Sequence, residues 1–245
     1  MIIGSKLIFL KNLPSTNSYA ASLVKEKEVS EGTIIYTNYQ SMGRGQGWNK
    51  WESEENKNLL ISIILFPSMI KPAEQFLLSM AVSLGICDFL DLYTTTISIK
   101  WPNDIYVNND KIAGILIENS IMGDLIEHTI AGIGININQS KFLSDAPNPV
   151  SLTNLTGGQF DLSQCLSQLA SSLDKWYNHL ISGDSELIKH DYISRLYHYK
   201  KWYKYQDLKG TFKGRIVNVS DTGKLMVERE SGSVNEFSYK EIDFI

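Results

Sequence analysis

Lys100-Trp101-Pro102-Asn103-Asp104, followed by Lys111-Ile112-Ala113-Gly114-Ile115-Leu116, is the stretch on which the reading of this chain turns. Apolar runs on either side read as strands, and the proline ends the first of them. It puts Asn103 and Asp104 in a turn where their side chains are free. A plain strand-terminating turn explains the proline. It does not explain a lysine just before the turn and another, Lys111, entering an otherwise apolar strand. A lysine there costs free energy unless it reaches water or finds a partner. Fixed positive charge, a carboxylate and a close-approach glycine at a strand end suit an anionic substrate, with bound carboxylate and phosphate as the missing partner.

Working outward, Thr96 to Trp101, Ile112 to Asn119 and Leu125 to Ile137 are β segments separated by Asn108-Asn109-Asp110 and Met122-Gly123-Asp124. Such hairpin arms imply an antiparallel or mixed sheet. Leu59 to Leu65 is a continuous apolar strand, Gly32 to Asn38 another strand, and Leu7 to Leu10 a short one. Thr16 or Asn17 is placed to cap a helix through Val24. Pro67 to Leu90 carries apolar residues at helical spacing. Ser163 to Ser182 and Asp184 to Tyr199 read as two further helices. From about Gly210, short strands and tight turns suggest a small SH3-like barrel. The expected division is a catalytic part, residues 1–203, and a barrel, residues 204–245. The fold class is α+β, a mixed, largely antiparallel sheet backed by helices.

The 245 residues suffice for a sizeable core, and a net charge of −4 argues against nucleic-acid binding by bulk electrostatics. Only Cys87 and Cys165 occur, and the four histidines lack ligand spacing, so neither a disulfide framework nor a structural metal site is indicated. Residues 1–10 are too short and interrupted for a signal peptide or membrane span. A cytoplasmic enzyme follows as the expectation.

Gln40-Ser41-Met42-Gly43-Arg44-Gly45-Gln46-Gly47 opens a loop in which backbone N–H groups and one guanidinium can converge on an anion. It lacks the ending of a P-loop. Trp48 and Trp51 flank it as loop anchors or, for Trp51, as an adenine-stacking partner. Gly132-Ile133-Gly134-Ile135-Asn136 has no third glycine and no following helix, so it is a buried strand open to close approach rather than a dinucleotide fingerprint. Tyr197 to Lys204 mixes aromatics and bases, which a helix end with snorkelling lysines explains more economically than nucleic-acid binding.

These motifs, with Ser15-Thr16-Asn17, occur in an order that resembles the biotin–protein ligases. The resemblance covers nearly the whole chain and implies a sheet related to the class II tRNA synthetase core. It implies an enzyme that uses ATP to make biotinyl-AMP and transfers biotin to a lysine of a carrier protein. Ser15, Thr16 and Gln40 would bind the biotin ring, with Asn17 supporting the turn and Gly114 admitting the ligand. Gly43, Arg44, Gly45 and Gln46 would cover the biotin carboxylate and the phosphates. Lys111 would bridge carboxylate and α-phosphate. Lys100, Asn103 and Arg44 would serve the nucleotide, and Trp51 and Asn136 would lie near the adenine. Lys111, Arg44 and Asp104 are the implied catalytic residues. Mg²⁺ would be held mainly by phosphates, with Asp104 as a further ligand.

The implied acceptor is a biotin carboxyl carrier domain of acetyl-CoA carboxylase or a related carboxylase. No membrane is expected as a partner, and a homodimer is an expectation by family analogy alone. Family members that repress transcription carry an N-terminal winged helix. Ser15-Thr16-Asn17 lies so near the start that a short form without DNA binding is expected. Many members carry an arginine where Gln46 stands and a glycine where Trp48 falls, which leaves loop closure open. The rival readings are a lipoate–protein ligase-like acyl-adenylate transferase and a non-enzymatic biotin-binding regulator.

Overall fold

The computed structural model describes residues 1–27, 29–144 and 147–245. In chain order the elements are β1 (Leu7–Leu13), α1 (Thr16–Glu26), β2 (Thr33–Gln40), β3 (Leu59–Leu65), α2 (Phe76–Leu90), β4 (Ile97–Lys100), β5 (Asp104–Val107), β6 (Asp110–Met122) and β7 (Leu125–Ile135). There follow α3 (Leu152–Thr156), α4 (Leu162–Ile181), α5 (Ser185–Ser194), β8 (Trp202–Asp207), β9 (Gly210–Val219), β10 (Leu225–Arg229), β11 (Val234–Phe237) and β12 (Asp243–Phe244).

Seven strands form one sheet in the order β1-β2-β3-β7-β6-β5-β4, with only β1 and β2 parallel. The mixed, largely antiparallel sheet expected from the sequence is therefore present. On one face, α2 lies against α4 and α5, with α2 over β4, β5 and β6 and α4 over β3. Although Pro72–Leu90 is long and apolar enough to cross a membrane, two-thirds of it (67%) is buried here, with α4 and the sheet around it. A second sheet, β11-β10-β9-β8-β12, is antiparallel throughout, as expected for the small C-terminal barrel.

The other face of the large sheet shapes the site. Ile35, Ile64 and Ile130 pack there against Ala20 and Leu13 under α1. Along the same strands, two residues on, the side chains shrink to Ser62 and Gly132, and then to Gly134, whose neighbour across the ladder is Gly114. Alternation keeps these residues on the α1 face. Because α1 packs over β2, β3 and β7, the small residues beyond it leave a hollow.

Four details depart from the sequence reading. Ser15, not Thr16 or Asn17, is the N-cap of α1, because those two side chains are taken up by other partners. The helix expected from Pro67 begins at Phe76, after prolines at 67 and 72 and one 3-10 turn. The last helix ends at Ser194, where the chain turns extended so that Leu196 bridges Ile99. Finally, Asp104 starts a strand, β5, that the sequence reading leaves as a turn; it stands opposite Lys100 on one side and Gly114 on the other.

Candidate active site

A cavity of about 610 Å³ opens over the small-residue face, within the size range of small-molecule sites. Its wall includes Ser15, Thr16, Asn17, Gln40, Arg44, Gly45 and Gln46 at one side. Trp51, Lys100, Asn103, Asp104, Lys111 and Gly114 also line it. Two further residues that the sequence singles out, Gly43 and Asn136, are not on the wall. Gly43 instead lets the loop fold back: a Cβ there would stand 2.5 Å from the Trp51 carbonyl oxygen, and its own carbonyl accepts from Trp51 N at 3.0 Å. Asn136 is buried, and its Nδ2 donates to the Val150 carbonyl at 3.1 Å.

At one end the polar groups form a continuous chain of hydrogen bonds. Gln40 Oε1 accepts from the Thr16 amide at 2.8 Å and the Thr16 hydroxyl at 3.1 Å. Ser62 Oγ shares its proton between Asn17 Oδ1 at 2.5 Å and Thr16 Oγ1 at 2.7 Å. Asn17 fits only because position 132 is glycine, since a Cβ there would fall 2.3 Å from its Oδ1. With its oxygen engaged, Gln40 keeps its amide N–H₂ as a donor for a ligand. Ser62 escapes a sequence reading because it sits in an unbroken apolar strand; only the polar residue in LLISIIL marks it.

At the other end lie the charges. The Trp101–Pro102 bond is cis. The turn it makes is pinned, because Asn103 Nδ2 donates to the Ile115 carbonyl at 2.8 Å and Ile115 N donates back to the Asn103 carbonyl at 2.9 Å. Asn103 is therefore not free as the sequence reading expects. Lys111 also has a partner in the protein itself: its Nζ stands 2.6 Å from Asp104 Oδ1, both side chains being about three-quarters covered. That contact is an ion pair without hydrogen-bond alignment, so Asp104 Oδ1 still lacks a directed donor. Lys100 Nζ donates to Tyr106 Oη at 3.2 Å and stands 5.2 Å from the Phe244 ring centre. Burial pulls the Lys100 ammonium below the usual lysine range; Asp104 opposes that shift and Lys111 adds to it.

The glycine-rich loop closes one side through a β-bridge, Arg44 with Lys50, and a Gly45 N to Asn49 carbonyl bond of 2.8 Å. It carries Trp51 onto the sheet. Cβ atoms at Gly114 and Gly134 would meet the Trp51 ring at 2.9 and 2.4 Å, so both glycines seat the indole. Gly114, which the sequence marks for the approach of a ligand, lines the cavity and also seats Trp51. Its Nε1 and the Gln46 Oε1 are buried without partners, leaving one donor and one acceptor for a bound molecule.

The remaining wall, Tyr239, Lys240, Ile242, Asp243 and Phe244, comes from the end of the second sheet, and no sequence signal marked it. The lining cations are Arg44, Lys50, Lys100, Lys111 and Lys240, against Asp104 and Asp243. An excess of positive charge in a half-enclosed cleft favours a polyanion. Among the described residues no cluster of three or more acidic, cysteine or histidine side chains could hold a metal ion.

This geometry has close counterparts. The chain is 30% identical to the bifunctional ligase/repressor BirA of Bacillus subtilis over 94% of its own length and 72% of that protein's. It is 28% identical to the biotin–[acetyl-CoA-carboxylase] ligase of Paracoccus denitrificans, covering 76% of this chain and 79% of that one. The structure of the biotin protein ligase from Aquifex aeolicus in complex with biotin and ATP superposes with a TM-score of 0.81 at 26% identity, covering 98% and 99% of the two chains. Residues 9–136, which carry most of the cavity wall, match the model of the biotin/lipoate A/B protein ligase family. The chain belongs to that family.

Proposed function

We propose that this chain activates biotin with ATP and transfers it to a lysine of a biotin carboxyl carrier domain. The observation that carries the reading is the division of one cavity into a polar, uncharged end (Thr16, Asn17, Gln40) and a cationic end (Lys100, Lys111). An uncharged ureido ring suits the first and a carboxylate meeting a triphosphate the second.

In the first step the biotin carboxylate oxygen attacks the α-phosphorus and pyrophosphate leaves. Both partners are anions, and Lys111 lies where it lowers their repulsion. Mg²⁺ would be held mainly by the phosphates, with Asp104 as a further ligand, and would shield the same charge. In the second step the carrier's neutral amine attacks the mixed-anhydride carbonyl and AMP leaves. Asp104 then takes the amine proton, since substrate anions compete with it for Lys111. Trp51 and Gln46 close over the adenylate and keep water from it. The separation into a catalytic part and a small barrel belongs to this reading. The expected boundary at 203/204 falls inside β8, which begins the second sheet at Trp202, so the barrel starts there, with its Tyr239 to Phe244 covering the nucleotide end.

The test is ATP-dependent transfer of biotin to a carrier domain, with lipoate and Lys111→Ala alongside. Removing Lys111 is expected to slow adenylate formation by a factor on the order of 10²–10³. Transfer of lipoate instead of biotin would overturn the substrate. Tight biotin binding without AMP formation would overturn the enzyme in favour of a binding protein.

A further inference from the structure

Glu118 is not part of the cavity wall, yet it ties the glycine-rich loop to the polar end of the site. It projects from β6 on the face that carries Gly114, four residues on. Arg44 Nη2 donates to its Oε1 at 2.6 Å and Arg44 Nη1 to its Oε2 at 3.2 Å, a two-point pair between loop and sheet. The same Oε2 accepts from Asn17 Nδ2 at 2.8 Å. Asn17 in turn is bonded through Oδ1 to Ser62, whose proton it shares with Thr16. One carboxylate therefore links the arginine of the glycine-rich loop to the polar floor of the cavity.

We propose that Glu118 is a positioning residue that latches the loop through Arg44 and couples its closure to Asn17. The pair fixes a guanidinium in a fork geometry that suits a carboxylate. With its charge held by Glu118 at the rim, Arg44 acts first as the loop's anchor, and Lys50, Lys100, Lys111 and Lys240 are the other cations lining the cavity. The anchor lies one residue from Gly45 and seven from Trp51, so letting go of Arg44 frees the segment that seats the indole. Because Asn17 shares the carboxylate, a ligand that draws Asn17 into its own bonds changes how firmly Glu118 holds Arg44. The ring end of the cavity thereby reports occupancy to the lid.

The test is hydrogen exchange on the full, ligand-free chain, comparing Glu118→Gln, Arg44→Gln and the double variant. Glutamine keeps the shape and can still accept from Asn17, but it removes the charge. Each single change is expected to speed exchange of the Gly45 and Trp51 amides roughly three- to fivefold, the scale of a partly exposed two-point ion pair. The double variant is expected to match the larger single effect, because both changes break one interaction. Exchange in β3 should stay unchanged, which separates a local latch from a damaged fold. Single effects that multiply in the double variant, no effect of Glu118→Gln on the loop, or equal effects in β3 would each overturn the proposal. A second arm rests on the ligase reading: biotinyl-AMP should leave Glu118→Gln faster by the same factor. If the chain makes no adenylate, only this arm is lost, and the exchange result still decides the latch.

Discussion

Gly134→Ala tests how Trp51 closes the site. A methyl group at position 134 would fall 2.4, 2.7 and 2.8 Å from three atoms of the Trp51 ring. Carbon atoms in contact prefer about 3.5–4.0 Å, so the overlap is on the order of 1 Å. Strand β7 cannot yield, because β3 and β6 hold it on both sides. The ring must move, and it belongs to a loop held by few bonds. Overpacking of this kind costs about 1–3 kcal/mol, which corresponds to roughly a 5- to 150-fold rise in loop opening. Against this, replacing glycine by alanine where the backbone is compatible stabilises by about 0.4–1 kcal/mol through the unfolded chain. The assay is exchange of the Trp51 amide, which bonds to the Gly43 carbonyl, together with urea midpoints in wild-type and Trp51→Ala backgrounds. With the indole present, Gly134→Ala should loosen the loop; in the Trp51→Ala background it should be neutral or slightly stabilising. A cost that persists without the indole would refute the argument, because the clash would then lie with something other than Trp51.

Trp101→Phe removes the Nε1 donor to the buried Gly223 carbonyl, 2.9 Å away. A loss of about 1–3 kcal/mol in urea unfolding is expected, and an unmoved midpoint would show that the tie contributes nothing. His198 is stacked between Tyr197 and Tyr203, with centroid distances of 3.6 and 3.3 Å. Burial, then Lys100 and Lys201, pull its pKa down to about 4. An unfolded histidine takes its proton near pH 6.5, so the folded state loses stability as pH falls from about 6.5 to about 4. His198→Phe keeps a ring in the stack and should flatten that loss, on the order of 1–3 kcal/mol once solvent screening is allowed for. Equal pH slopes for the two proteins in urea melts would rule the histidine out. Asp104→Asn should slow single-turnover transfer from preformed biotinyl-AMP more than it slows adenylate formation. The reverse order would move Asp104 to the first step.

The large sheet could be read from the sequence because its strands are long and bounded by turn residues, as in Leu59–Leu65 and the β6–β7 hairpin. Four-residue β5 could not, since it begins two residues after a proline and is too short to show alternation. The residues around Lys100, Asp104 and Lys111 were visible because charged groups in apolar strands need a reason. Their reason proved partly internal, an ion pair across adjacent strands, which only register reveals. Glu118 could have been found: it shares the face of Gly114 by the two-residue period, in a strand otherwise apolar from Ile112 to Ile117. Lys240 and Asp243 could not, because nothing in the spacing of a small barrel says which end meets the larger sheet.

The barrel tie at Trp101 and the lining by Tyr239 to Phe244 place contributors to one cavity more than 200 residues apart along the chain. No contiguous fragment holds both ends of the pocket, so a partly unfolded chain has little to offer its ligands. Binding energy is then spent almost wholly on the native state, by RT ln(1 + [L]/Kd), about 2.7 kcal/mol at a hundredfold excess over Kd. The ligand-free chain lacks that increment, so its unfolding midpoint should rise as ligand is added, and by the same amount whichever part of the fold is used to follow it.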